Sequence, residues 1–490
     1  MNFLNSSIKI SSAIALFTLA QCVHAQVPSN VPSSYRDLYG SLQASLNSFQ
    51  ASIPANTKSP VAYAAQLMTA TSENSANLLR NGYFVSVQQE IQAYQALGLT
   101  AVTVHINFPT LYAPYYKDQT QYQQMLNFYQ SVASEVRGRG MKFIVESQVA
   151  KPAYSGNETG PGEYAMNLPW NEYVKGRALN SAVVAQYLRP DYLAVITEPD
   201  TEATFSKHPE AGTLIGSMTI LKNTLVAVRN MAGSGIKVGA GVGTWMKGWD
   251  TFLKAYATTS VSFLDVHIYP VNRDYFTRAV TAADIARNAG KEITVSESWL
   301  YKMRESEMIE SVNVMKFEQR NVYSFWAPLD AQFNRALISL ANYKNFSFIS
   351  PGWSLYFFTY LNTTSPDVTI TNAKQSGAVA LATGSFTSTG IDFLNAINNG
   401  PDTTAPYVPG APFTAKQGSG VRVGWNPASD NVGVAGYRVY KNAKLLFTTS
   451  LTSYFDSVGR AGSNDNYTIV AFDATKNSSI TSTAAKAPAR

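Results

Sequence analysis

From about Pro60 onward the chain repeats one unit, a short apolar run followed by a longer segment with helical periodicity. Eight runs have the length and composition of strands: Val61–Leu67, Ala101–Phe108, Lys142–Val149, Tyr192–Thr197, Lys237–Val242, Phe263–Tyr269, Glu292–Ser298 and Val322–Ala327. Helical patterns separate them at Ser86–Leu97, Gln121–Arg137, Glu172–Leu188, Gly212–Met231, Trp249–Thr258, Thr277–Asn288 and Ser306–Arg320. Another helical pattern, Trp353–Leu361, follows the last run, and an amphipathic one, Ser33–Ile53, precedes the first. No hairpin turn joins successive runs, so neighbouring strands have to be parallel, since parallel neighbours need a long crossover. Eight such units over about 300 residues predict an α/β fold, a closed (β/α)8 or TIM barrel. An open doubly wound sheet is the competing arrangement, but no G-x-G-x-x-G turn follows the first run.

Near residue 400 the texture changes to Gly400-Pro401-Asp402-Thr403-Thr404-Ala405-Pro406, with Pro409, Gly410 and Pro412 beyond, which is the composition of a linker. Short alternating runs follow at Val421–Trp425, Gly436–Tyr440, Lys444–Thr448 and Asn466–Phe472, and predict a small all-β sandwich. The expected organisation is therefore a barrel over 26–400, a linker over 401–412 and a sandwich over 413–490, preceded by a leader over 1–25. Trp425 in Val-Gly-Trp-Asn-Pro, the stretch Asp430-Asn431-Val432-Gly433-Val434-Ala435-Gly436-Tyr437, then Tyr454, Tyr467 and Val470-Ala471-Phe472-Asp473 carry a further likeness. This tail resembles the fibronectin type III modules, immunoglobulin-like in fold, that accompany many secreted bacterial polysaccharide-degrading enzymes. The resemblance implies a spacer or accessory role.

The leader has Lys9, the largely apolar stretch Ile10 to Val23, and Val23-His24-Ala25, a spacing that suits signal peptidase. Its apolar run is shorter than the roughly 20 residues a spanning helix needs. We therefore expect export, a secreted or periplasmic location and no membrane attachment after cleavage. The only cysteine, Cys22, lies in the leader, so the remaining 490 − 25 = 465 residues hold no disulfide, thiolate metal site or cysteine nucleophile. Loss of Lys9 takes the net charge from +6 to +5, and the basic residues are scattered, so no nucleic-acid partner is expected. Aromatics make up 12% of residues and charged residues only 14%, a balance that suits a neutral ligand with flat faces, such as carbohydrate. No sequence feature sets the oligomeric state.

Barrel enzymes place their chemistry at the C-terminal ends of strands. Here the fourth run ends Ile196-Thr197-Glu198-Pro199-Asp200, and the seventh runs Val295-Ser296-Glu297-Ser298-Trp299. In the sixth run, Leu264, Val266 and Ile268 alternate with Asp265, His267 and Tyr269, which places the polar set inside the barrel. The second run repeats this, with Thr103, His105 and Asn107 inward. In the fifth, Gly239, Gly241 and Gly243 share one face, which makes room in the lumen. Glu146, ending the third run, is a rival carboxylate, while Glu202 and Glu158 read as loop charges. Trp170, Trp245, Trp249, Trp299, Tyr112, Tyr115, Tyr116 and Tyr154 fall in expected loops after strands, where rings can stack on sugars or simply pack.

Two strand-end glutamates, with His267-Ile268-Tyr269 on the sixth run and Ser324-Phe325-Trp326-Ala327 on the eighth, resemble glycoside hydrolase clan A. That resemblance implies a retaining glycosidase acting on β-glycosidic bonds, with Glu198 as acid/base and Glu297 as nucleophile. It further implies that Tyr269 or His267 orients Glu297 and that Trp326 floors the subsite of the cleaved sugar. The clan usually has asparagine before the acid/base, where it contacts the sugar 2-hydroxyl; this chain has Thr197. The chemistry requires no cofactor. His105, His208 and His267 form no H-x-H or H-E-x-x-H pattern, so no metal is expected, and no G-x-S-x-G elbow suggests an esterase. The competing functions are a non-catalytic carbohydrate-binding barrel and a metal-dependent barrel hydrolase.

Overall fold

The computed structural model describes residues 27–55, 57–152, 160–308, 319–352, 354–362 and 370–490. The expected leader, most of the helix expected at Ser306–Arg320, and Tyr154 and Glu158 lie outside the described residues.

Eight strands form one parallel sheet: β1 (Ala62–Tyr63), β2 (Ala101–His105), β3 (Lys142–Glu146), β4 (Tyr192–Ile196), β5 (Lys237–Gly243), β6 (Phe263–His267), β7 (Glu292–Ser298) and β8 (Phe348–Pro351). Strands β2 to β8 pair in chain order, and β8 pairs with β1. Between β1 and β2 the Thr103 amide donates to the Ala65 carbonyl at 3.0 Å and the Leu67 amide to the Thr103 carbonyl at 2.8 Å, which closes the barrel. The period of two sorts the side chains. Val102, Val104, Leu193, Val195, Leu264 and Val266 join the core between sheet and helices. Ala62, Ala64, Ala101, Ile144, Tyr192, Ala194, Phe263 and Phe348 fill the lower lumen. Polar inward residues at the next level up therefore sit on a dry apolar floor.

Strand β5 shows why glycine is needed there. A Cβ on Gly239 would lie 2.2 Å from the Phe263 ring, and one on Gly241 would lie 2.3 Å from the Asp265 carbonyl oxygen. The bare strand makes room for the inward residues of β6. Two other strands slip register where they approach the mouth, β4 against β5 between Ala194 and Ile196, and β7 against β8 between Val295 and Ser298. A bulge of this kind re-aims the side chains beyond it. Both bulges immediately precede or contain an expected catalytic glutamate.

The eighth strand is not Val322–Ala327. That run is a short turn, Ser324–Trp326, entering the helix Ala327–Lys344 with Pro328 in its first turn, and β8 comes afterwards. The run is apolar because it is buried: Trp326 is 0% exposed, stacks on Tyr39 at 5.7 Å and donates its indole N–H to the Arg320 carbonyl at 2.9 Å. Trp326 is therefore a core residue that pins the N-terminal helix Arg36–Ser52, and it cannot floor a sugar subsite. The residue following β8 and Gly352 in sequence is Trp353, which lies outside the described residues.

The C-terminal strands form two antiparallel sheets. One contains β9 (Phe413–Gln417), β10 (Gly420–Gly424) and β13 (Ser453–Asp456); the other contains β11 (Val434–Lys441), β12 (Lys444–Thr449), β14 (Asn466–Asp473) and β15 (Ala485–Lys486). Val421, Val423, Trp425, Tyr437, Val439, Tyr467, Ile469 and Ala471 pack between them as a separate core. The Ser450 amide donates to the Ala382 carbonyl at 2.8 Å, and Gln92 reaches the Val434 carbonyl at 3.3 Å, so this sandwich is seated on barrel helices. No helix among the described residues is long and apolar enough to cross a membrane.

Candidate active site

At the C-terminal end of the barrel, His105, Glu146, Glu198, His267 and Glu297 converge from β2, β3, β4, β6 and β7. Glu198 is the N-cap residue of the helix Pro199–Ser206, yet its side chain makes no capping bond and is left for the mouth. One oxygen each of Glu198 and Glu297, together with a nitrogen of His267, lie within 4.8 Å of one another. Both glutamates are 8% exposed, whereas Glu146 is 0% exposed. Only the first two are open to a ligand.

The hydrogen-bond network assigns protons. Asp265 accepts from the Ser296 amide at 3.0 Å and from the Ser296 hydroxyl at 2.6 Å, and also from the Thr294 hydroxyl. With Asp265 ionised, the single hydroxyl proton of Ser296 is committed, so its Oγ accepts from His267 Nε2 at 3.0 Å. His267 Nδ1 lies 2.7 Å from a Glu198 oxygen, a contact that one proton must bridge. His105 Nε2 is 3.2 Å from Glu146 and 3.6 Å from Glu297, and its Nδ1 is 3.0 Å from the Gln66 side-chain nitrogen.

Charge follows from this crowding. Burial works against protonation of His105, but the charges of Glu146 and Glu297 outweigh it and push its pKa up to about 9. Burial likewise opposes, and Glu146 and Glu198 overcome it, in holding His267 well above the usual histidine range. Burial favours the neutral form of Glu146, yet the two imidazoliums keep it well below the carboxylate range. Glu297 is pushed up to about 7, first by burial and also by Glu146 and Glu198, with both histidines acting in the opposite sense. Burial raises Asp265 to about 6.

The other expected residues divide into neighbours of the mouth and structural ties. Tyr269, held well above the usual phenol range by burial and then by the charge of Glu297, stacks on Tyr301 at 4.9 Å, with Trp245 5.0 Å away and Trp299 edge-on at 6.4 Å. Thr197 is 0% exposed and its hydroxyl is taken by the Gln148 amide, so it is turned away from any ligand. The Asn107 side chain accepts from the Gln148 backbone amide at 3.1 Å, tying the ends of β2 and β3. Glu202 is no loop charge: it is 1% exposed and paired with Arg177 at 2.7 Å. Gln66, Ser296 and Gln148 were not singled out from the sequence. Gln66 was recoverable, since alternation along β1 places it inward with Ala62 and Ala64.

Two sets of side chains, His105, Glu146 and Glu297, and Glu198, His267 and Glu297, have atoms close enough to share a cation. Both ring nitrogens of His267 and Nδ1 of His105 have partners at 2.7–3.0 Å, which an ion would have to displace, whereas His105 Nε2 and both Glu146 oxygens are buried without a hydrogen bond among the described residues. A separate cleft of about 570 Å³, formed by loops after β2 and β3, is lined by Tyr115, Tyr116 and Tyr164 but by neither mouth glutamate.

No family model matches the chain. Among curated proteins, chitinase A1 of Niallia circulans is 44% identical over 84 residues, 17% of this chain and 12% of that protein. An α-amylase of the same organism is 41% identical over 96 residues, 19% of this chain and 7% of that protein. These matched lengths are too short to span the barrel, and the chain covers less than a fifth of those relatives. Among solved structures, the exo-β-1,4-mannosidase Op5Man5 from Opitutaceae bacterium strain TAV5 has a TM-score of 0.43 at 11% identity, covering 68% of this chain and 64% of that one. A β-glucosidase from Exiguobacterium marinum has a TM-score of 0.40 at 12% identity, covering 66% and 97%.

Proposed function

We propose that this protein is an exported retaining glycosidase that cleaves β-glycosidic bonds of a polysaccharide or oligosaccharide, with Glu198 as acid/base and Glu297 as nucleophile. The observation that carries the proposal is that one oxygen of Glu198 and one oxygen of Glu297 come within 4.8 Å of each other at the barrel mouth. Retaining enzymes hold their carboxyls about 5–5.5 Å apart, whereas inverting enzymes need roughly 6.5–9.5 Å to admit a water between them. In the first step Glu297 attacks the anomeric carbon while the proton of Glu198 passes to the departing glycosidic oxygen. In the second, Glu198 takes a proton from water, the water oxygen attacks the anomeric carbon, and the Glu297 ester bond breaks.

The pair needs one proton before the first step. Glu297, pushed up to about 7 chiefly by burial, gains its nucleophilic anionic form as pH rises through neutrality. Turnover should be sought on 4-nitrophenyl β-glycosides and on plant, fungal and bacterial glycans. On a responsive substrate Glu297→Gln should lower kcat by on the order of 10³-fold or more with the fold intact. Unchanged turnover in that variant would overturn the assignment of Glu297, whereas binding of a glycan without turnover by the wild type would leave a carbohydrate-binding barrel. The metal-dependent reading draws support from the close donor sets, and its test is a chelator. Activity should survive EDTA; loss restored by added metal would favour that reading instead.

A further inference from the structure

Glu146 is fully buried at the mouth and touches no ligand-accessible space, yet its two oxygens face two different imidazoles. Oε1 lies 3.2 Å from His105 Nε2, and Oε2 lies 3.4 Å from His267 Nε2. Each imidazole in turn reaches the mouth: His105 lies 3.6 Å from Glu297, while His267 lies 2.7 Å from Glu198 and 3.8 Å from Glu297. We propose that Glu146 is a positioning residue that acts through this pair of imidazolium ions, holding His105 and His267 charged and aimed at the two mouth carboxylates from beneath. The mechanistic part of this inference rests on the glycosidase proposed above.

Charge balance carries the argument. Three glutamates and Asp265 meet in a space closed to water on one side, and four uncompensated carboxylates there would repel one another strongly. The described residues facing Glu146 are His105 on β2, Asp265 and His267 on β6 and Glu297 on β7. Glu198 is reached through His267, and Glu73 acts on His105. No arginine or lysine appears among these partners, so the cationic charge comes from the imidazoles, alongside the proton that Glu297 retains below about pH 7. Two local observations agree. The committed hydroxyl proton of Ser296 makes His267 Nε2 a donor, as an imidazolium requires. At His105, the Gln66 Oε1 atom is buried without a hydrogen-bond partner, and a half-turn of that amide would set it against Nδ1–H.

Without Glu146, His105 loses its closest counter-charge and His267 one of its two nearest while both remain buried, so both should surrender a proton at lower pH. Glu297 would then lose cationic neighbours just as it must become an anionic nucleophile. The test uses the full chain with ¹⁵N-labelled histidine, followed by NMR from pH 5 to 10, with resonances assigned by single substitutions. In the wild type His105 and His267 should remain imidazolium through pH 8. In Glu146→Gln both titrations should move down by at least about 1 pH unit, and Glu146→Asp should restore part of that shift. On whichever 4-nitrophenyl β-glycoside the wild type hydrolyses, Glu146→Gln should lower kcat by about tenfold or more while KM stays within about twofold.

A neutral His105 or His267 at pH 7 in the wild type overturns the proposal, as does a Glu146→Gln variant whose histidines titrate unchanged. The wild-type titration decides even if the variant fails to fold. Absence of turnover in the wild type, with the titrations as expected, overturns the glycosidase and leaves the two-imidazolium arrangement standing.

Discussion

Arg177→Met isolates the buried ion pair that fastens the strand ends beneath the mouth. The guanidinium is 0% exposed and makes four bonds: Nε to Glu202 at 2.7 Å, Nη2 to Glu202 at 3.2 Å, Nη1 to the Ser147 carbonyl at 2.8 Å and Nη2 to the Val195 carbonyl at 2.8 Å. Ser147 follows Glu146, and Val195 lies three residues before Glu198, so one side chain ties together the strands that present both glutamates. Methionine fills much of the same volume but leaves Glu202 buried with the Tyr173 hydroxyl as its remaining side-chain donor among the described residues. Removing one member of a buried pair costs about 3–5 kcal/mol, mostly because the survivor is uncompensated. A barrel of this size has an unfolding entropy of roughly 0.7 kcal/mol/K, so 4 kcal/mol lowers Tm by about 6 °C. Calorimetry of the wild type, Arg177→Met, Glu202→Gln and the double variant measures the coupling. The double variant should recover about 1–2 kcal/mol relative to Arg177→Met, since it no longer buries a lone charge. A single variant within 1 kcal/mol of wild type, or a double variant no better than the single, would refute the reasoning.

Three further outcomes follow from the same geometry. Stability should decline from mildly acid to alkaline pH: His105, held near 9 against an ordinary 6.5, contributes fully below 6.5 and loses that contribution, on the order of 3 kcal/mol, as pH rises through 9. Asp265 and Glu297, raised to about 6 and about 7, act in the same direction as they ionise, so Tm should be higher at pH 5.5 than at pH 9; the reverse order would contradict the charge assignment. Gly239→Ala should destabilise by about 1–3 kcal/mol in chemical denaturation, because its Cβ would meet the Phe263 ring at 2.2 Å; combining it with Phe263→Leu should relieve part of the loss. Trp326→Ala should cost about 3–5 kcal/mol while leaving KM of the folded fraction unchanged, whereas a sugar-stacking residue would show the opposite pattern.

The parts of this molecule that were legible in its sequence are those where one residue's position dictates its environment. Leu264, Val266 and Ile268 alternate with Asp265, His267 and Tyr269, and a parallel strand with one face toward helices and the other toward a lumen admits only one way of placing them. The eighth strand was illegible for a complementary reason. Val322–Ala327 and Phe348–Pro351 are both short, apolar and buried, and periodicity cannot separate a strand of four residues from an aromatic turn that caps a helix. That error carried Trp326 into the mouth, where the fold has no place for it.

Glu146 shows a third limit. Its position at a strand end was visible, but its role depends on His105 and His267 arriving from strands 41 and 121 residues away on either side, at distances that register and bulges set. The bulges matter most. Strict alternation that keeps Thr294 and Ser296 inward sends Glu297 outward, and only the extra residue between Val295 and Ser298 lets Ser296 reach Asp265 while Glu297 also faces the mouth. A sequence shows which residues are available to a barrel mouth, whereas the backbone irregularities decide which carboxylates meet there.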